Sequence, residues 1–256
     1  MSDRMSRPLM LVTGGSRGIG AAVCRLAARA GYDVVVNYAR DGEAANRVVA
    51  EVEAAGGRGF AVQADLGIAL EIEALFRAVD GFGPLAVLVN NAGVVDAATS
   101  VAQMDAGRLE RMWRINVTAP FLCAREAVLR MSTARGGQGG AIVNVSSVAA
   151  KLGGPHQYVD YAASKGAIDT MTVGLAKEVV SEGIRVCGVR PGVIDTDIHA
   201  SGGQPDRVAE MSPSLPLGRA GTADEVAEAI LWLASDKATY SSGAILDVSG
   251  VRGIWP

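Results

Sequence analysis

The chain has 256 residues, 49% of them apolar and 20% charged, with a formal net charge of −3. That length fits one α/β domain, and the faintly acidic balance leaves no basic face for nucleic acid or an anionic membrane. No uncharged apolar run approaches the roughly 20 residues that span a bilayer. The N-terminal stretch from Met1 to Pro8, followed by a short apolar run and a glycine loop, does not read as a signal peptide. Cys24, Cys123 and Cys187 lie far apart with no CxxC pair, as expected of reduced thiols in a cytoplasmic chain. His156 and His199 belong to no metal-spaced cluster, so no metal site is expected.

In chain order, residues 1–7 read as a flexible lead-in. Leu9 to Thr13 is a short apolar strand that runs into Gly14-Gly15, and Ile19 to Ala30 is a helix closed by Gly31. Strands follow at Asp33–Asn37, Phe60–Gln63 and Ala86–Val89, separated by helices at Glu43–Ala55 and Ala69–Val79. Asp105 to Met131 supports one long helix that Pro120 should kink. Ala141–Ser146 is a strand, Tyr158–Ser181 a helix, Ile184–Val189 a sixth strand, Asp224–Ala234 a helix and Ala244–Val248 a final strand. Continuous Val/Ile/Leu strands alternating with helices imply a mostly parallel, seven-stranded sheet covered on both faces. The expected architecture is a single doubly wound Rossmann domain over 1–256. The exception is 197–221, rich in proline and glycine, which reads as a mobile substrate lid without structure of its own.

The loop Thr13-Gly14-Gly15-Ser16-Arg17-Gly18-Ile19-Gly20 joins the first strand to the first helix. Gly14 allows the tight turn, Gly18 lets the backbone approach a pyrophosphate, and Gly20 lets helix and strand pack closely. The helix start then offers free N–H groups and a positive dipole end to phosphates. An NAD site places an acid at the end of the second strand, but here that end reads Asn37-Tyr38-Ala39-Arg40, with no acid before Asp41. Arg17 and Arg40 either flank a 2′-phosphate or stand as solvated surface arginines, so NADP(H) is favoured and NAD(H) remains possible. Ala64-Asp65-Leu66 follows the third strand, where an acid can meet the adenine amino group; a helix N-cap is the rival role for Asp65.

Tyr161 and Lys165 stand four apart in a helix and face the same way. Hydride transfer to a carbonyl leaves an alkoxide that needs a proton, and a phenol of ordinary pKa about 10 is a slow exchanger at neutral pH. A neighbouring ammonium and an oxidised nicotinamide should lower it towards the working range. Tyr158 lacks such a lysine, because four positions on stands Ala162. Asn90-Asn91-Ala92-Gly93 ends the fourth strand, and Ser146-Ser147 ends the fifth. Pro191-Gly192-Val193-Ile194-Asp195-Thr196 ends the sixth, and Asn116 lies in a helix able to hold a water near Lys165. These features collect at the carboxyl edge of the sheet, where open α/β sheets bind ligands.

TGGSRGIG, NNAG, Asn116, Ser147, YAASK and PGVIDT occur in the order found in the short-chain dehydrogenase/reductases, and the chain resembles that family from Leu9 to about Gly253. The resemblance implies that Ser147 polarises a carbonyl, Tyr161 exchanges the proton, Lys165 lowers the Tyr161 pKa and holds the ribose, and Asn116 supports the proton relay. It also implies that Asn91, Ala92 and Gly93 pack beside the cofactor, and that Ile194 and Thr196 bind the carboxamide. A homotetramer or homodimer that pairs the long helices is the family's habit. Ser147 and Tyr161 stand fourteen positions apart, one more than the commonest interval, which leaves Ser146 as an alternative serine. The expected activity is hydride transfer between NADP(H) and a small-molecule carbonyl/secondary alcohol pair. Alternatives are an NAD-dependent sugar or alcohol dehydrogenase, C=N reduction, and a non-catalytic dinucleotide sensor. Val94, Val95, Tyr158, His199 and the segment after Asp197 should shape the substrate pocket, with His199 either a polar handle or a solvated lid residue.

Overall fold

The computed structural model describes residues 7–253. Of the lead-in expected to be flexible, residues 1–6 lie outside the described residues, and Arg7 is exposed with its Nη1 donating to the Ala28 carbonyl (3.4 Å). Seven strands form one sheet: β1 (Leu9–Val12), β2 (Asp33–Tyr38), β3 (Gly59–Gln63), β4 (Leu85–Asn90), β5 (Gly140–Val145), β6 (Ile184–Pro191) and β7 (Ile245–Val248). Their spatial order is β3-β2-β1-β4-β5-β6-β7, and every pairing is parallel. The chain winds outward from β1 to β3, then returns across β1 to β4 and winds the other way. The crevice between the carboxyl ends of β1 and β4 is therefore the switch point where such sheets take ligands.

Alternation along each strand feeds two cores. Met10 and Val12 join one layer with α1 (Gly18–Arg29), α2 (Gly42–Ala54) and α10 (Ala223–Ala234), while Leu9 and Leu11 join the other with α3 (Ala69–Asp80), α5 (Ala119–Met131) and α7 (Val159–Val179). All three cysteines are buried, free thiols. Among the described residues, no helix is long and apolar enough to cross a membrane.

Two expectations need correction. The long helix from Asp105 to Met131 is interrupted before Pro120. Helix α4 (Ala106–Trp113) passes into a π-helical stretch, Arg114–Thr118, and α5 then begins with Pro120 in its first turn. Pro120 has no N–H for the carbonyl four residues back, that of Asn116, so the ladder widens there and Pro120 starts the next helix without strain. The segment 197–221 is not bare loop either. It carries α8 (Ile198–Ser201), α9 (Arg207–Met211) and a 3₁₀ turn, Ser212–Ser214, and closes with a parallel bridge between Ile194 and Gly221. A short helix unannounced by periodicity, α6 (Ala149–Leu152), follows β5.

Candidate active site

A cleft of about 1040 Å³ opens along the carboxyl edge of the sheet. At its floor, the β1–α1 loop turns at Gly14 (φ +61°) and Gly18 (φ +53°), both in the region that favours glycine. Gly20 does not line the cleft but makes the loop possible: a Cβ there would lie 2.3 Å from the Gly14 carbonyl oxygen and 2.6 Å from Asn91 Nδ2. Arg17 precedes α1 without a side-chain cap, so the first N–H groups of the helix remain available, and Ser16, Arg17, Gly18 and Ile19 all line the cleft. A shallow cradle with free donors and glycine at each close approach suits a pyrophosphate.

The loop is held by side chains that sequence reading assigned to the ligand. Asn37 is buried; its Oδ1 accepts from Gly14 N (3.2 Å) and its Nδ2 donates to the Ala64 carbonyl (3.2 Å), tying the ends of β1, β2 and β3 together. Asn91 Nδ2 donates to the Thr13 and Gly14 carbonyls (2.8 and 3.1 Å). Thr13, whose role the motif alone did not reveal, donates from Oγ1 to the Val89 carbonyl and accepts from Asn91 N and Ala92 N (2.9 and 3.0 Å).

At the end of β2, Tyr38, Ala39 and Arg40 line the cleft, and the exposed Arg17 and Arg40 have no carboxylate partner among the described residues. Asp41, the nearest acid in sequence, caps α2 by accepting from Ala44 N (2.9 Å). Ala64, Asp65 and Leu66 line the same end. Asp65 is not a helix N-cap: its Oδ1 accepts from Gly67 N (2.8 Å), and Ile68 is the residue that precedes α3.

Ser147, Tyr161 and Lys165 line the cleft together with Asn91, Ala92 and Gly93. Lys165 is buried; its Nζ donates to the Val145 carbonyl (2.8 Å) and sits 5.8 Å from the Tyr161 ring centroid. A Cβ on Gly93 would fall 3.5 Å from that Nζ, so the β4 loop packs directly beside the ammonium. Ser146 is committed elsewhere, its Oγ donating to the Lys165 carbonyl (3.1 Å). Ser147 Oγ accepts from Ala149 N (3.1 Å), and its hydroxyl reaches Tyr161. The turn between α6 and α7 absorbs the longer Ser147–Tyr161 interval, with Gly153, Gly154 and the non-glycine His156 (φ +62°) all left-handed. Asn116 does not line the cleft. Its Oδ1 accepts from Val94 N (2.8 Å) and its Nδ2 donates to the Val94 carbonyl (2.9 Å) and to Ser164 Oγ (3.2 Å), so its side chain splints the β4 loop to α7.

Burial raises the Tyr161 phenol above its ordinary value, and the Ser147 hydroxyl only partly opposes it. Tyr161 therefore rests protonated in the chain alone. The same burial lowers Lys165 to about 8, against a smaller opposing effect of Asp169. The first turn of α7 is anchored by an ion pair that the sequence did not show. Arg108 Nε and Nη2 donate to Asp160 (2.7 and 3.2 Å), while Nη1 donates to the Ala97 carbonyl (2.6 Å) in the loop after β4.

Pro191, Gly192, Ile194 and Thr196 line the cleft after β6, with Thr196 facing Gly18, and Val94, Val95, Tyr158 and His199 line the remaining wall. His199 is half-buried rather than solvated. Its Nε2 lies 3.0 Å from the Ile194 carbonyl, and burial lowers its pKa, so it braces the lid as a neutral ring. Among the described residues, no group of three His, Cys, Asp or Glu side chains is placed to hold a metal.

A parallel doubly wound sheet with this cradle at its switch point suits a dinucleotide-binding protein. The comparisons narrow the class. The family model for short chain dehydrogenase matches residues 8–206. An uncharacterized oxidoreductase of Escherichia coli is 53% identical over 94% of this chain and 98% of its own length. A 3beta-hydroxysteroid dehydrogenase of Eggerthella lenta is 36% identical over 100% of this chain and 97% of its own. Among solved structures, a short chain dehydrogenase from Burkholderia cenocepacia in complex with NADP superposes with a TM-score of 0.87 at 32% identity, covering 97% of this chain and 98% of that one. The chain belongs to the short-chain dehydrogenase family, NAD(P)-dependent enzymes acting on CH–OH and C=O groups.

Proposed function

We propose that this enzyme transfers a hydride between NADP(H) and a carbonyl/secondary alcohol substrate, with Tyr161 as the general acid/base. The observation that carries it is the meeting of Tyr161, Lys165 and the Ser147 hydroxyl at the dinucleotide cleft. The bound nicotinamide supplies or receives the hydride. Ser147 Oγ–H donates to the carbonyl oxygen and polarises it. The protonated Tyr161 hydroxyl then gives its proton to the oxygen that becomes the alcohol, and Lys165 Nζ stabilises the phenolate left behind. Asn116 acts through the Val94 backbone and Ser164 as a positioning residue. The lid 197–221 closes the substrate end. The outward Leu109, Trp113, Phe121 and Leu129 of α4 and α5, all exposed, support pairing of subunits across these helices.

NADPH fits better than NADH because Arg17 and Arg40 have no carboxylate partner among the described residues, and the acid that directly follows Arg40, Asp41, accepts from Ala44 N as a helix cap. Each charge-assisted bond to a 2′-phosphate contributes about 1.5–3 kcal/mol. Arg40→Ala should therefore weaken NADPH binding by roughly tenfold to a hundredfold and leave NADH nearly unchanged; fluorescence titration of both cofactors against wild type and variant reads this directly. A wild type that prefers NADH overturns the assignment.

The Lys165 shift predicts a pH dependence. The ammonium is present below pH about 8 and is lost as pH rises through that value. Carbonyl reduction should decline above pH about 8, and Lys165→Arg, which stays cationic, should move that limb to higher pH. A reduction rate flat from neutrality to well above that value contradicts the role given to Lys165.

A further inference from the structure

Under the lid, the cleft is lined by two arginines, Arg207 and Arg252, that the cofactor does not explain. Arg207 opens α9 and stacks over the Tyr158 ring, its Cζ 5.2 Å from the centroid. Its Nη1 donates to Gln204 Oε1 and to Gln157 Oε1 (3.2 Å), and Gln204 Oε1 also accepts from the Tyr158 hydroxyl (2.7 Å). Both acceptors are neutral amides, so they fix the guanidinium without cancelling its charge, and Nε and Nη2 keep their donors for something else. Arg252 follows β7 in a segment where a Cβ on its neighbour Gly253 would lie 2.9 Å from Oδ2 of Asp247, which is paired with Lys151 and Arg190, and 3.1 Å from Val148 Cγ1.

Neither arginine has a carboxylate partner among the described residues. Two acids line this wall. Asp96 is paired with Arg111, which leaves Asp197, exposed at the lid hinge. Arg207 and Arg252 are half-buried, and burial, followed by the Arg207 charge, disfavours the Arg252 cation. Holding two half-buried like charges without a paired carboxylate costs stability, and an incoming anion offsets that cost with charge-assisted bonds.

We propose that the substrate carries an anionic terminus, a carboxylate or a phosphate, received by Arg207 and Arg252 while its carbonyl lies at Ser147 and Tyr161. This rests on the carbonyl-oxidoreductase reading above and specifies its substrate class. It also assigns the lid a recognition role, since α9 brings Arg207 to the cleft.

The test is equilibrium binding, by calorimetry, to the protein saturated with NADP⁺, using matched pairs: levulinate against methyl levulinate, and dihydroxyacetone phosphate against dihydroxyacetone. The charged member of at least one pair should bind about tenfold tighter or more, and the pair with the larger gap identifies carboxylate or phosphate. Arg207→Met and Arg252→Met should each bring the charged-to-neutral ratio towards one. Arg207→Lys should restore part of the preference, because it keeps the charge and loses the fork. Melting curves of each variant confirm that the fold survives. Equal binding of charged and neutral members, no binding of either anion, or a preference that persists in the double variant overturns the proposal. Reduction of neutral ketones as fast as of their charged partners would sink the anion site and leave the carbonyl-reductase reading standing. Tight anion binding without NADPH oxidation would do the reverse.

Discussion

Tyr161→Phe should lower kcat/KM for carbonyl reduction by about 10²–10⁴, the range expected when a positioned general acid is removed. The change deletes one oxygen and keeps the ring against which Lys165 Nζ rests, so the cleft stays packed. Because the phenol proton moves only as the alkoxide forms, the loss should fall on kcat, with cofactor affinity unchanged. Burial holds the Tyr161 phenol above its ordinary value, so the wild-type group enters a reduction already protonated. Steady-state kinetics, with cofactor binding measured in parallel, check this. A phenylalanine variant within about fivefold of wild type would remove Tyr161 from the chemistry.

Arg108→Met should be the most destabilising single change near the site. The Arg108 and Asp160 side chains are 9% and 0% exposed, so the variant strands a carboxylate in the interior at a cost of about 3–5 kcal/mol. For a chain of this size that corresponds to a fall in melting temperature of about 6–20 °C. The paired change Arg108→Met with Asp160→Leu should recover much of it, because no uncompensated charge remains. Arg108 also holds the Ala97 carbonyl, so the β4 loop beside Val94 and Val95 should loosen and KM should rise in both variants. A single variant that melts within a degree or two of wild type would show that the pair is not the anchor its burial implies.

How much of this was legible beforehand follows from the range of each interaction. The strands were readable because each is a continuous apolar run bounded by glycine or a polar turn, and all seven formed where expected to within a residue or two. The glycine loop was readable because its constraints are local: Gly14 and Gly18 need left-handed backbone, and Gly20 needs the absence of a Cβ. Tyr161 and Lys165 were readable because four residues is one helical turn. What the sequence hid was long-range. Arg108 and Asp160 are 52 positions apart, and Thr13 meets Asn91 across 78; no periodicity announces either. The break in the helix was misplaced because Pro120 acts on the carbonyl of Asn116, so the distortion falls before the proline. The motif shows the lysine and conceals the burial that raises the Tyr161 phenol in the chain alone. Asn37 and Asn91 line the cleft, and what the sequence did not show is that their amides also hold the phosphate loop.

The central claim is hydride transfer between the nicotinamide and a carbonyl carbon in this cleft, and isotope transfer tests it most directly. The enzyme would be given NADPH deuterated at the reactive ring carbon together with a ketone that it turns over, and the alcohol product examined by mass spectrometry and NMR. The account predicts one deuterium per product molecule, bound to the carbinol carbon, with formation collapsing in Tyr161→Phe. An alcohol formed without deuterium at that carbon, or formed at the wild-type rate by the phenylalanine variant, would contradict it.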